Sequence, residues 1–248
     1  MRVAKVQRVT RKVWSGVLAL VIAFSITGAA RSEDLRVLQM NLCNSGLAGC
    51  YTGRSVATAA DVIRAQAPDV VTVNEVCQAD VAVLARGGPS AFRAVLDSRT
   101  GGATRCRNGD AYGIAILTRR PLSRVTGGTY ATQNPDDPEQ RAWLCVDTGG
   151  ISACTTHLDA RSTAVARSQC RYLLGTVLPA MRSPVVLAGD LNLRTGVRNC
   201  LTADERNADD GGFQSVVVTG TFAITSKRVL DMRSTTDHPG LLVTLAPR

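Results

Sequence analysis

From Leu35 onward the chain alternates short, β-branched apolar runs with stretches of helical periodicity, separated by clusters of Gly, Pro, Asn and Asp. The apolar runs predict strands at Leu35–Leu42, Val70–Asn74, Tyr112–Leu117, Arg141–Val146, Ile151–Thr156, Val185–Ala188, Phe213–Val218 and Leu241–Leu245. Helices fit best at Arg54–Gln66, Gln78–Ala85 and Ala160–Leu178. Asp147–Gly150 reads as a hairpin turn between two of the strands. Gly87–Asp110 and Thr129–Gln140 lack periodicity and read as surface loops, the kind of segment that walls a substrate groove. No repeat or linker divides the chain, so residues 31–248 are expected to form one α/β domain.

Residues 1–30 have a different layout. Arg2, Lys5, Arg8, Arg11 and Lys12 form a positive head, Val13 to about Ile26 is apolar, and Gly28, Ala29 and Ala30 offer a cleavage site. This predicts a signal peptide over 1–30, a secreted product beginning at Arg31, and no stable membrane association after cleavage. The alternative is a retained anchor, for which Val13–Ala30 is just long enough. Charge changes meaning accordingly. Five of the 29 basic residues lie in that segment, so the formal +9 falls to 24 basic against 20 acidic residues. The remainder is mildly basic, compatible with a polyanionic substrate but no footprint of tight nucleic-acid binding. A hydrophobic fraction of 45% excludes a disordered chain.

All eight cysteines follow the signal segment, and an even count in an exported chain reads as four disulfides. The hairpin suggests Cys145 with Cys154; Cys43 with Cys50 would close a short loop, and Cys170 with Cys200 would tie the long helix to the loop after Asn192. Cys77 with Cys106 follows by elimination. A zinc site is the competing reading, disfavoured because there is no C-x-x-C pair and only two histidines.

Polar residues interrupt the strand ends in a regular way. Met40-Asn41-Leu42, Val73-Asn74-Glu75, Thr155-Thr156-His157-Leu158, Ala188-Gly189-Asp190-Leu191-Asn192 and Thr236-Asp237-His238-Pro239 each deliver a carboxylate, amide or imidazole at the edge of an apolar run. Rigid sheets aim catalytic groups into a crevice in this manner. Taken singly, each has an ordinary reading as a cap or turn residue. Both histidines of the chain, His157 and His238, fall in these positions, which shifts the balance toward a site.

In order and spelling these motifs resemble the endonuclease/exonuclease/phosphatase superfamily, which includes deoxyribonuclease I, abasic-site nucleases, bacterial sphingomyelinases and inositol polyphosphate phosphatases. The resemblance spans about Leu35–Leu245 and rests on Q-M-N-L from Gln39, V-N-E-V from Val73, Y-G-I-A-I-L from Tyr112, Arg141 opening a strand, T-T-H-L, A-G-D-L-N and T-D-H-P. It implies a deoxyribonuclease I-like four-layer α/β sandwich, with two packed mixed β-sheets flanked by helices. It also implies a Mg²⁺-dependent phosphoesterase, with Mn²⁺ or Ca²⁺ as alternatives, acting as a monomer on a phosphate ester, foremost nucleic acid. By the same resemblance Glu75 is the principal metal ligand with Asn41 and Asp237 nearby, and His238 is the general base. Asp190 would orient the attacking water or share in metal and proton handling, while Asn192, His157 and Arg141 would hold phosphate oxygens.

Two departures stand out. Asn74 occupies a position commonly held by Gln, and Gln214 aligns with the aspartate that usually orients the catalytic histidine, a role that Asp209, Asp210 or Asp231 would otherwise have to fill. Loop arginines, Arg105, Arg107, Arg119, Arg120 and Arg194, are further candidates for phosphate contact. Alternatives within the same fold are a sphingomyelinase or phospholipase C-like enzyme, an inositol-phosphate phosphatase, and a non-catalytic binding module. Ten aromatic residues, two of them in the signal segment and the rest unclustered, argue against a lipid substrate.

Overall fold

The structure is a computed structural model that describes residues 34–182 and 184–248; the expected signal segment lies outside them. In chain order the elements are β1 (Leu35–Asn41), α1 (Ser55–Gln66), β2 (Val70–Cys77), α2 (Gln78–Ala85), β3 (Ser90–Ala94), β4 (Leu96–Asp97), β5 (Tyr112–Thr118), β6 (Leu122–Thr129), β7 (Glu139–Gln140), β8 (Ala142–Thr148), β9 (Ile151–Thr156), α3 (Thr163–Tyr172), β10 (Val185–Asp190), β11 (Arg206–Asp209), β12 (Gln214–Val218), β13 (Phe222–Leu230) and β14 (Gly240–Pro247). They build two six-stranded sheets, ordered β13-β14-β1-β2-β5-β3 and β11-β12-β10-β9-β8-β6, with β4 and β7 as a separate ribbon.

Period-two alternation along each central strand explains the layering. In β1, Val37 packs between the sheets while Leu38 and Met40 pack toward α1 and α2. In β10, Val186 and Ala188 face the other sheet while Val185 and Leu187 join Leu173, Leu174 and Leu178 on the far side. The result is helices, sheet, sheet, helix: the four-layer sandwich expected from the sequence. Each sheet has one parallel pair near its centre, β1 with β2 and β9 with β10, within otherwise antiparallel neighbours. Ligands of open α/β sheets bind beyond the carboxyl ends of such strands. There the inter-sheet face turns from apolar to polar, Val37 giving way to Gln39 and Asn41, and Ala188 to Asp190.

All eight expected strands form, with ends shifted by a few residues at most, and they occupy every interior position of the two large sheets. The expectation of loops over Gly87–Asp110 and Thr129–Gln140 is corrected: β3 lies in the first and pairs with β5, and β7 lies in the second. The strands that the pattern missed in the large sheets, β3, β6, β11 and β13, are the four edges. Edge strands are covered less completely and carry charges that deter pairing with other chains, as Lys227 and Arg228 do on β13. The third helix begins at Thr163 rather than Ala160, because the Asp159 carboxylate takes the backbone N–H groups of Arg161 and Ser162 and Ser162 caps the first turn. It then passes into a π-turn at Leu173–Val177.

Cys43–Cys50, Cys77–Cys106, Cys145–Cys154 and Cys170–Cys200 are joined, the pairing expected from the sequence, and no described cysteine is free. No helix among the described residues is long and apolar enough to cross a membrane.

Close approach of β9 and β10 depends on Gly189, where a Cβ would overlap the Thr156 carbonyl oxygen. Gly189→Ala must therefore push the parallel pair apart. The expected cost is about 1–3 kcal/mol, the range for overpacking, read as a lower denaturation midpoint together with reduced activity. An unchanged midpoint would contradict the packing described.

Candidate active site

Strand register sets the position of each group. Asn41, at the end of β1, is the paired neighbour of Asn74, which lies within β2. Opposite Ile114 of β5 the ladder slips, so that Asn74 and Glu75 together stand where one residue would, and Glu75 adopts φ 55°. Bulges of this kind re-aim side chains at sites. On the second sheet His157 follows β9 and bridges to Asp190 at the end of β10. His238 lies just before β14, in reach of both sheets.

These residues meet. Asn41 Nδ2 donates to Glu75 Oε1 at 2.8 Å and to Asp190 Oδ2 at 3.0 Å, while its Oδ1 accepts from the Cys43 N–H. His238 Nε2 is 3.6 Å from Asp190 Oδ2 and 3.8 Å from Asp237 Oδ1, and His157 Nε2 is 4.0 Å from Glu75 Oε1. Asn192, at φ 51°, donates its backbone N–H to Asp190 Oδ1 and its Nδ2 to the Leu158 carbonyl. Arg141 is buried at the start of β8, its Nε and Nη2 donating to Asp137 Oδ2 and its Nη1 3.4 Å from Glu139. That Nη1 is buried without a hydrogen-bond partner among the described residues.

The electrostatics are those of crowded acids. Burial raises the proton affinity of Glu75; Asp190 and Asp237 raise it further, against the Asn41 hydrogen bond. Burial likewise raises Asp190, opposed by His238 and Asn41. Glu139 is pushed up to about 7 by burial, despite Arg141 beside it. Burial, then the charges of Arg141 and His238, hold His157 well below the usual histidine range, so it is a neutral imidazole. Carboxylates with raised proton affinity, close together, are the set that a hard divalent cation relieves. The carboxylates of Glu75 and Asp190, bridged by the Asn41 amide, fit one, and Asp237 is close enough to add its charge to Glu75. Asp237 also approaches the sulfurs of Cys43 and Cys50, but these are bonded to each other and offer no thiolate.

Gln214 does not face the imidazole. Paired with Asp190 across β12 and β10, it donates through Nε2 to the carbonyl of Pro239 and accepts from Gln39 Nε2 at 3.2 Å. It thus fixes the backbone beside His238 rather than the ring. The ring instead has Phe213 at its edge, centroids 6.2 Å apart, and the Arg194 guanidinium lies 4.4 Å over the Phe213 ring. Of the loop arginines, Arg107 stands near the Cys43–Cys50 loop, whereas Arg119 and Arg120 follow the far end of β5, which runs antiparallel to β2 and so ends opposite the site.

The groups that support these side chains carry no motif that singles them out in the sequence. Asn74 accepts through Oδ1 from Gln39 Nε2 at 2.7 Å and from the Asp190 N–H at 2.9 Å, and its Nδ2 donates to Thr155. Asp137 anchors Arg141. Tyr112 is buried among Glu139, Glu75 and Arg141. A signal was present: Gln39 and Asn41, and Thr72 and Asn74, are polar at alternate positions of apolar strands.

Fold and site define an α/β sandwich that brings acid, amide and imidazole groups together where its two parallel strand pairs meet. The sequence profile of the Endonuclease/Exonuclease/phosphatase family matches residues 38–228, and the chain belongs to that family, one of phosphoric ester hydrolases that are generally divalent-metal dependent. Similar solved structures include an endonuclease/exonuclease/phosphatase from Beutenbergia cavernae, 23% identical with a TM-score of 0.66, covering 87% of this chain and 72% of that one. The D. rerio TDP2 complexed with single strand DNA product is 18% identical, TM-score 0.65, covering 86% and 99%. The human nocturnin catalytic domain with bound sulfate anion is 16% identical, TM-score 0.66, covering 88% and 95%. At these identities the likeness is one of fold. No curated protein matches the sequence.

Gln214→Asp tests the reading of that residue. The shorter, acceptor-only side chain loses the donor to the Pro239 carbonyl, so stability should fall by about 1–3 kcal/mol and turnover should not rise. A faster enzyme would mean that the carboxylate reaches His238.

Proposed function

We propose that the protein is an exported, divalent-metal-dependent phosphodiesterase that hydrolyses nucleic acid by attack of water, with His238 as general base. The observation that carries this reading is the convergence of Asn41 and Asp190 from two strand ends, Glu75 from the bulge in β2 and His238 from the turn before β14, within hydrogen-bonding or ion-pair distance. Glu75, with Asn41 and Asp237, would hold Mg²⁺ or a similar ion. Such a cation neutralises charge that builds on phosphoryl oxygens and the leaving group. His238 accepts the proton of the attacking water, and Asp190 beside it stabilises the imidazolium that results. His157, neutral, offers an N–H to a phosphoryl oxygen. Arg141 Nη1 and Asn192 offer further donors, the first charge-assisted. Export is supported by the four disulfides, which persist in oxidising compartments. Residues 1–30 would supply the signal. Nucleic acid is favoured over lipid because the site is bordered by polar loops and two arginines, Arg107 and Arg194.

The test is hydrolysis of plasmid DNA, RNA, sphingomyelin and inositol phosphates by the purified protein, with Mg²⁺ and with chelator. Chelator should abolish activity. Glu75→Gln should weaken metal binding and activity together, with partial rescue at high Mg²⁺. His238→Ala should cut turnover by about 10² to 10⁴ with metal affinity nearly intact. Full activity in both variants would overturn the mechanism, and activity on sphingomyelin alone would overturn the substrate.

A further inference from the structure

Beside the catalytic cluster, on the first sheet's side, lies a second pocket of about 180 Å³ lined by Asn44, Ser45, Tyr51, Asp80, Arg107 and Asn108 among others. Its walls are two loops, each closed by a disulfide: Cys43–Cys50 carries the first and Cys77–Cys106 the second. The Arg107 N–H donates to the Ser45 carbonyl at 2.8 Å and so joins them. Gly46 packs against Arg107, where a Cβ would come within 2.8 Å of the Arg107 Cβ. The pocket adjoins the metal-binding strand directly, since the Asn44 N–H donates to the Glu75 carbonyl at 2.9 Å.

Its chemistry is specific. Tyr51 is 39% exposed, and the Arg107 guanidinium lies 5.9 Å from its ring centroid. This pair presents flat π and cationic surface on a cross-linked frame that loses little entropy on binding. Within the pocket Asp80 accepts from Asn44 Nδ2 at 2.6 Å, and Asn44 in turn accepts from Ser55 Oγ. The ordered carboxylate and amide supply acceptors and a donor for the edge of a planar heterocycle. A lipid tail would need apolar walls, and a polyphosphorylated sugar would need several cations; one cation beside an aromatic ring and a carboxylate suits neither.

The geometry points to a nucleobase subsite. When a phosphodiester sits at Glu75 and His238, the base of the adjoining nucleotide enters this pocket, stacks on Tyr51 and Arg107, and turns its polar edge to Asp80 and Asn44. The inference rests on the nucleic-acid reading above and deepens it, making the enzyme a reader of a base next to the scissile phosphate rather than of backbone charge alone.

The experiment compares a single-stranded oligonucleotide with a base-free oligomer of the same length, in which every nucleoside is replaced by an abasic tetrahydrofuran unit, on wild type, Tyr51→Ala and Tyr51→Phe. Base–aromatic stacking is worth on the order of tenfold per base. Wild type should therefore cleave the base-bearing strand about tenfold more efficiently than the base-free one. Tyr51→Ala should lose that advantage through a higher KM at nearly constant kcat, Tyr51→Phe should keep it, and the base-free oligomer should not distinguish the three proteins. Equal cleavage of both oligomers by wild type, or an equal loss on both in Tyr51→Ala, would overturn the subsite and leave the nuclease reading standing. Failure of wild type to cleave either oligomer would overturn the nuclease reading and the subsite with it.

Discussion

One buried amide holds the site together. Asn74 Oδ1, at the bulge in β2, accepts from Gln39 on the neighbouring strand and from the backbone N–H of Asp190 on the opposite sheet. Two packed sheets can slide as well as separate, and apolar side chains between them fix their distance better than their register. Directional hydrogen bonds at the seam fix both. Because Asp190 stands on one sheet and Glu75 on the other, their separation is set by how well this seam is tied.

The seam is also where opposing demands are reconciled. The four parallel strands converge with their carboxyl ends together, which brings Asn41, Glu75, His157 and Asp190 into one place, mostly buried. Burial penalises the charged forms of the carboxylates and of His157 alike. Asn41 eases this by donating to two carboxylates at once. The left-handed backbone at Glu75 and Asn192 costs about 1–3 kcal/mol each, a strain the surrounding ladder sustains. Such local cost is commonly concentrated where side chains must point against the run of a strand.

The interior of the fold was legible in the sequence because interior strands are buried on both faces and announce themselves as unbroken apolar runs. The edge strands β3, β6, β11 and β13 are covered less completely, and their composition is that of loops. Site residues at strand ends were legible for a related reason, since a Glu, Asp or His that ends an apolar run is conspicuous. Their supports were not: Asn74 and Gln39 look like neighbours of the chemistry, and only the packing of the sheets discloses that they carry it. Asp137 sits in a segment without periodicity, and its bond to Arg141 has no signature in spacing. The loop arginines illustrate the same limit. Arg119 and Arg107 are alike in sequence, but the antiparallel direction of β5 sends one to the far end of the sandwich and leaves the other beside the site.

The most direct measurement is the catalytic efficiency of Asn74→Ala on a phosphodiester in saturating Mg²⁺, in a protein shown by circular dichroism to be folded. Removing the amide leaves Glu75, Asp190 and His238 in place but unties the sheets between them. Misplacement by about 1 Å costs roughly 10²-fold, so kcat/KM is expected to fall by about that factor while the spectrum is unchanged. Activity within about twofold of the parent would contradict the claim that the seam positions the site.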